Sequence, residues 1–171
     1  ESEDSEWYQQ FMAEMGDELS TEDKGWLTSA VFIGMLVGGI VWGGAADVVG
    51  RKKTYVWALS VDSLGAIASA FSPSVTFLIL FRVIAGIGIG GSVPVLYSLG
   101  REIFAKKRSG DLLSIISAHW MVGALFTACA GWIMLGVLET GWRAFAFVSA
   151  IPSLIALACA KFFLPESPRF L

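Results

Sequence analysis

The chain has 171 residues, 55% of them hydrophobic and 16% charged, and a mean hydropathy of +0.66. Water-soluble domains carry about 25% charged and about 45–50% apolar residues, so lipid is the main solvent for this chain. The net charge of −3 excludes the basic footprint of a nucleic-acid binder. No metal site is expected either, because no ligands cluster at metal-binding spacing.

In chain order, residues 1–24 hold nine of the fifteen acids and a single base, Lys24. Trp7, Tyr8, Phe11, Met12, Met15 and Leu19 recur at helical spacing in this segment. Residues 1–25 therefore read as an outer or lumenal segment with a short amphipathic helix. It lies on the membrane surface, caps the outer mouth, or is a solvated loop with one packed face. Ser20-Thr21-Glu22-Asp23 has the form of a capping box that starts the next helix.

Crossing the hydrocarbon core takes about 20 apolar residues in a helix. Five stretches qualify, at about 26–46, 54–71, 75–99, 112–135 and 144–164. They predict an all-α membrane protein with a five-helix transmembrane bundle over residues 26–171. Short polar breakers separate the stretches, so neighbouring spans run antiparallel and alternate loops share a side. One set of loops holds Arg51, Lys52, Lys53, Arg101, Lys106, Lys107, Arg108, Lys161 and Arg169, nine of the twelve bases. The positive-inside rule makes that side cytoplasmic. An outside start with five spans implies an earlier span upstream, so the chain is expected to be a fragment.

Gly86-Ile87-Gly88-Ile89-Gly90-Gly91 satisfies the dinucleotide pattern G-x-G-x-x-G, but it lies inside an apolar run rather than between a strand and a helix start. Small residues at this spacing let helix backbones approach closely in lipid. Gly34, Gly38, Gly86 and Gly90 are the expected packing positions. Cys129 and Cys159 are isolated in apolar runs and read as small packing residues.

Three polar groups lie within spans. Asp62 and Arg82 occupy consecutive antiparallel helices at similar expected depth, which suggests an ion pair. Structural glue and a proton or substrate relay are both open roles. His119, beside Trp120, is either a packed polar residue or part of a solute site.

Gly43-Gly44-Ala45-Ala46-Asp47-Val48-Val49-Gly50-Arg51-Lys52-Lys53 ends an apolar helix on an acid, then turns through glycine into three bases. This run resembles the signature G-x-x-x-D-x-x-G-R-[RK] of the major facilitator superfamily, between its helices 2 and 3. Val48 stands where the family usually has a base. Glu102 to Gly110 is similar to the acid-to-arginine motif after helix 4 of sugar-porter-like members, with Arg108 one residue early. Pro165-Glu166-Ser167-Pro168-Arg169-Phe170-Leu171 resembles the run after helix 6. The sequence around Phe32–Met35 and Ser92–Pro94 is similar to the synaptic-vesicle-glycoprotein-2-like and organic-ion branch.

The resemblance implies a partial N-terminal half of a 12-helix major facilitator fold, covering helices 2 to 6. Helix 1 and the C-terminal six-helix half would belong to the rest of the protein. It implies a multi-pass protein of the plasma membrane or a vesicle or organelle membrane, moving a small organic solute by alternating access. The partners implied are the solute, the lipid bilayer and a coupling proton or cation, with no cofactor and no covalent catalysis. A transporter-like vesicle or receptor protein without transport is the alternative. Asp47, Arg51, Glu102 and Arg108 are expected to form a cytoplasmic charge network. His119-Trp120 takes the place of a His-Gln pair of sugar porters, whose Gln bonds sugar hydroxyls. Trp120 offers one N–H donor and a large apolar face, so it is expected to line the cavity and disfavour hexoses, unless it only packs between helices.

Overall fold

The computed structural model describes residues 21–103, 109–138 and 140–166. The amphipathic leading segment, Ser20, Lys106, Lys107, Arg108 and Arg169 lie outside the described residues. Five helices follow one another: α1 Thr21–Val49, α2 Arg51–Ala70, α3 Val75–Ile103, α4 Ser109–Gly131 and α5 Trp142–Phe163. There is no strand among the described residues. α4 runs on into a π-helical turn, Trp132–Val137, in which the Leu138 N–H donates to the Ile133 carbonyl at 2.9 Å. The Thr140 N–H and hydroxyl both donate to the Met134 carbonyl, at 2.8 and 2.7 Å, and close that end.

α1, α3, α4 and α5 are long and apolar enough to cross a membrane. α2 falls short because Arg51, Lys52 and Lys53 head it and Asp62 interrupts it. Its position explains why that is tolerated. α2 packs between α3 and α5, and its inward positions are Thr54, Ala58, Leu59, Ser63, Gly65, Ser69 and Ala70, all buried. Ser63 and Ser153 hydroxyls meet at 3.2 Å and tie α2 to α5.

The bundle is small inside and bulky outside. Its largest fully buried side chains are only Leu99, Val95, Thr54, Ser63 and Ser69, while Phe32, Leu36 and Ile40 point outward. Lipid tails are as apolar as leucine, so nothing drives large side chains inward, and close backbone packing holds the helices together. α1 lies along α3 in the most extensive contact of the bundle. α4 stands apart: no residue in its membrane-length window is buried.

The C-terminal ends of α1, α3 and α5 share one end of the bundle, where Arg51 meets Glu102 and Lys52 meets Glu166. At the other end Trp142, 4% exposed, packs with Ala70, Leu78, Ala146 and Leu27. There Arg143 donates to the Ser72 carbonyl at 3.4 Å, and its guanidinium lies 4.9 Å from the Trp142 ring centroid.

Candidate functional site

The base-rich end is organised by one glycine. Gly50, the residue between α1 and α2, has φ 109°, a left-handed conformation that a side chain would disfavour. The turn it makes folds Arg51 back over the end of α1. The Arg51 guanidinium donates to the Ala46 carbonyl at 2.9 Å and to Asp47 Oδ1 at 2.8 Å. Its other nitrogen lies 3.2 Å from Glu102 Oε1, on α3. The two ion pairs are not equivalent: the Asp47 side chain is 73% exposed, whereas those of Arg51 and Glu102 are 16% and 9% exposed. Arg51 therefore joins three elements through a mostly enclosed contact. Arg108, the fourth expected member, lies outside the described residues.

Glu166 belongs here too, and sequence reasoning did not single it out. Its carboxylate accepts the Lys52 backbone N–H at 3.0 Å. Lys52 is the second residue of α2, where backbone donors have no intrahelical partner and negative charge is favoured. Gly50 has no side chain to cap them, so an acid from beyond α5 does so. The signal available was an acid just after the last span, on the same side as the bases.

Within the spans, Gly34, Gly38, Gly86 and Gly90 all lie at the α1–α3 contact. A methyl group on Gly34 would overlap the Val83 carbonyl, one on Gly38 the Ile87 carbonyl, and one on Gly90 the Met35 carbonyl. Gly86 faces the Val31 carbonyl in the same way. Gly65 and Gly88 bring α2 onto α3, against Ala85 and against the Asp62 backbone.

Those last contacts correct the expected Asp62–Arg82 contact pair. Asp62 is level with Gly88 and Gly65 with Ala85, so Arg82 sits six residues further along α3, about 9 Å at 1.5 Å per residue. Both side chains are half-buried and within electrostatic reach of each other. No ion pair or hydrogen bond joins them among the described residues.

His119 and Trp120 line a cavity of about 740 Å³ between α3 and α4, with Tyr55 of α2 and Ala156 of α5 at its margin. Small-molecule sites typically measure about 300–1,000 Å³. Val93, Leu96 and Tyr97 form the α3 wall. The His119 Nδ1 lies 2.8 Å from the Ile115 carbonyl. A carbonyl can only accept, so Nδ1 is the donor in this contact. Tyr97 and Ser117 hydroxyls meet at 3.3 Å across the cavity. Trp120, on α4, is 62% exposed and lines the same cavity. The arrangement can hold a flat apolar group and give a few hydrogen bonds. Among the described residues it has no dense set of donors and acceptors.

Known proteins agree with this architecture. The chain is 36% identical over 159 residues to synaptic vesicle glycoprotein 2C of Rattus norvegicus, covering 86% of this chain and 22% of that protein. It is also 36% identical over 163 residues to synaptic vesicle glycoprotein 2A of Homo sapiens, covering 89% and 22%. The chain thus spans about a fifth of the length of these relatives. Among solved structures, a D-xylose-proton symporter superposes with a TM-score of 0.66 at 24% identity, over 85% of this chain and 38% of its own. The xylose transporter from E. coli in its inward-open conformation gives 0.70 at 23% identity, over 91% and 40%. These two share the fold. The family model for "Sugar (and other) transporter" matches residues 2–171. This all-helical, multi-pass membrane chain belongs to the sugar (and other) transporter family of the major facilitator fold.

Proposed function

We propose that the chain forms most of the N-terminal bundle of a secondary transporter or facilitator that moves a small organic solute by alternating access. The observation that carries this reading is the cavity of about 740 Å³ walled by His119, Trp120 and Tyr97. Trp120 stands where a sugar site would need a hydrogen-bonding amide. An indole face instead attracts flat or cationic solutes, by stacking or by cation–π attraction of about 0.5–2 kcal/mol. The solute is therefore a flat or cationic organic molecule, and simple hexoses are poor substrates. Movement between states, rather than covalent chemistry, is the activity. A proton is the candidate coupling ion, since one fold neighbour is a proton symporter and Asp62 is a half-buried carboxylate near Arg82.

The test is uptake by the full-length protein in proteoliposomes, comparing aromatic organic cations with glucose. Cation uptake that falls at least tenfold in Trp120→Ala is the expected result. Robust glucose uptake that survives Trp120→Ala would overturn the solute assignment. The kinship to synaptic vesicle glycoproteins favours one second reading, a transporter-like vesicle protein. Ligand binding at Trp120 without uptake of any solute would select it.

A further inference from the structure

Helix α3 carries Gly90, Gly91 and Pro94 where it passes from packing on α1 to lining the cavity. Gly90 and Gly91 supply little conformational restraint. Pro94 lies inside the helix, so the Gly90 carbonyl loses its helical donor and is crowded by the proline ring. The Ser92 hydroxyl also bonds back to the Ile89 carbonyl at 3.0 Å. Helices bend at such places. The residues just beyond, Val93, Leu96 and Tyr97, form a wall of the cavity, so the direction of this half-helix sets the cavity's shape.

One side chain reaches across to this segment. The indole Nε1 of Trp42, on α1, donates to the Ile87 carbonyl at 3.0 Å. Gly91, one turn after Ile87, lies flat against the same indole, with no room there for a methyl group. Ile87 is also the residue whose carbonyl faces Gly38, one turn before Trp42 on α1. The glycine contact ends at this point, because added methyl groups on Gly43 and Gly44 would meet nothing within 4 Å. Trp42 thus holds α3 by a side-chain hydrogen bond just beyond the stretch where the glycines bring the two backbones together. With no water to compete in the hydrocarbon region, its hydrogen bond has a strong directional hold.

We infer that Trp42 is a positioning residue for the cavity: by gripping Ile87 and Gly91 it sets the direction in which α3 continues past the Gly90–Pro94 segment. The role of the cavity rests on the proposed function; the brace itself does not. The experiment reads amide hydrogen exchange over residues 86–97 of the full-length protein in lipid nanodiscs. Trp42→Phe keeps the apolar face and removes the donor, and it accelerates exchange there about two- to tenfold while residues 51–70 are unchanged. Gly91→Ala, which pushes the indole away from the other side, does the same. Trp57→Phe, a half-exposed tryptophan of α2, has no effect on this segment. A brace acts through the proline-weakened segment it holds, so the effect of Trp42→Phe shrinks at least threefold in a Pro94→Ala background. Unchanged exchange in both Trp42→Phe and Gly91→Ala overturns the inference, and so does equal acceleration with and without Pro94. Because exchange rather than uptake is read, the brace stands or falls whatever solute the cavity takes.

Discussion

Arg51 and Asp47 are bonded to each other, yet their burial separates what they do. Asp47 is largely in solvent, and exposed pairs contribute at most about 1 kcal/mol. Asp47→Ala therefore lowers the thermal midpoint of the full-length protein by only a degree or two. On the proposed alternating-access function, its expected effect is on transport, where a contact made in only one of two states shifts their populations. Arg51→Ala removes the bonds to Ala46, Asp47 and Glu102 together. Breaking an enclosed pair costs about 3–5 kcal/mol, so this variant loses folded yield in a size-exclusion assay. Equal stability of the two variants would sink the distinction. Glu166→Gln is a milder change at the same end. It keeps an acceptor for the Lys52 N–H but loses the charge at the α2 start, worth about 0.3–1 kcal/mol. Glu166→Ala loses both and unfolds earlier than Glu166→Gln when the two are compared by thermal melting.

For the helices, the glycines give the sharpest contrast. Gly34, Gly38 and Gly90 face backbone carbonyls of the opposite helix, which cannot move aside as a flexible side chain can. Alanine at any of them forces α1 and α3 apart, at a cost of about 1–3 kcal/mol. Gly43 and Gly44 occupy the same helix in open space. Alanine there restrains the backbone and is neutral or stabilising by up to about 1 kcal/mol. Denaturant titration of the five single variants in one detergent decides it. If Gly43→Ala destabilises as much as Gly38→Ala, intrinsic helix effects rather than close packing set the stability of this pair.

Across the whole molecule, the arrangement places Lys53 and Ser74 at opposite ends of the bundle, at the start of α2 and just before α3. Both are exposed. Lys53→Cys is expected to react with a membrane-impermeant maleimide only from the cytoplasmic side, and Ser74→Cys only from the other. Labelling of both from one side would reverse or break the topology. α4 is the outlier at this scale. Its exposed length, including Ile115, Met121 and Leu125, has the composition of a span but few neighbours within the chain.

Patterns that repeat locally were legible from residue order alone. Apolar runs of bilayer length announce helices because lipid satisfies no backbone group, and small residues every fourth position mark a face where backbones can meet. The Asp47–Arg51 bond is local as well, one helical turn across a glycine. Contacts between distant segments were not legible. Glu166 reaches Lys52 across 114 residues and Trp42 reaches Ile87 across 45; neither spacing leaves a periodic trace. Depth was the subtler failure. Counting inward from the loop put Asp62 opposite Arg82, but the glycine contacts at Gly65 and Gly88 set the register and moved Arg82 level with Ala68. Composition and periodicity alone determined that this chain is a membrane bundle with a base-rich end, because the bilayer penalises every alternative. Which polar groups meet inside it was decided only by the tertiary structure, because a shift of a few residues between helices changes every partner at almost no cost to hydropathy.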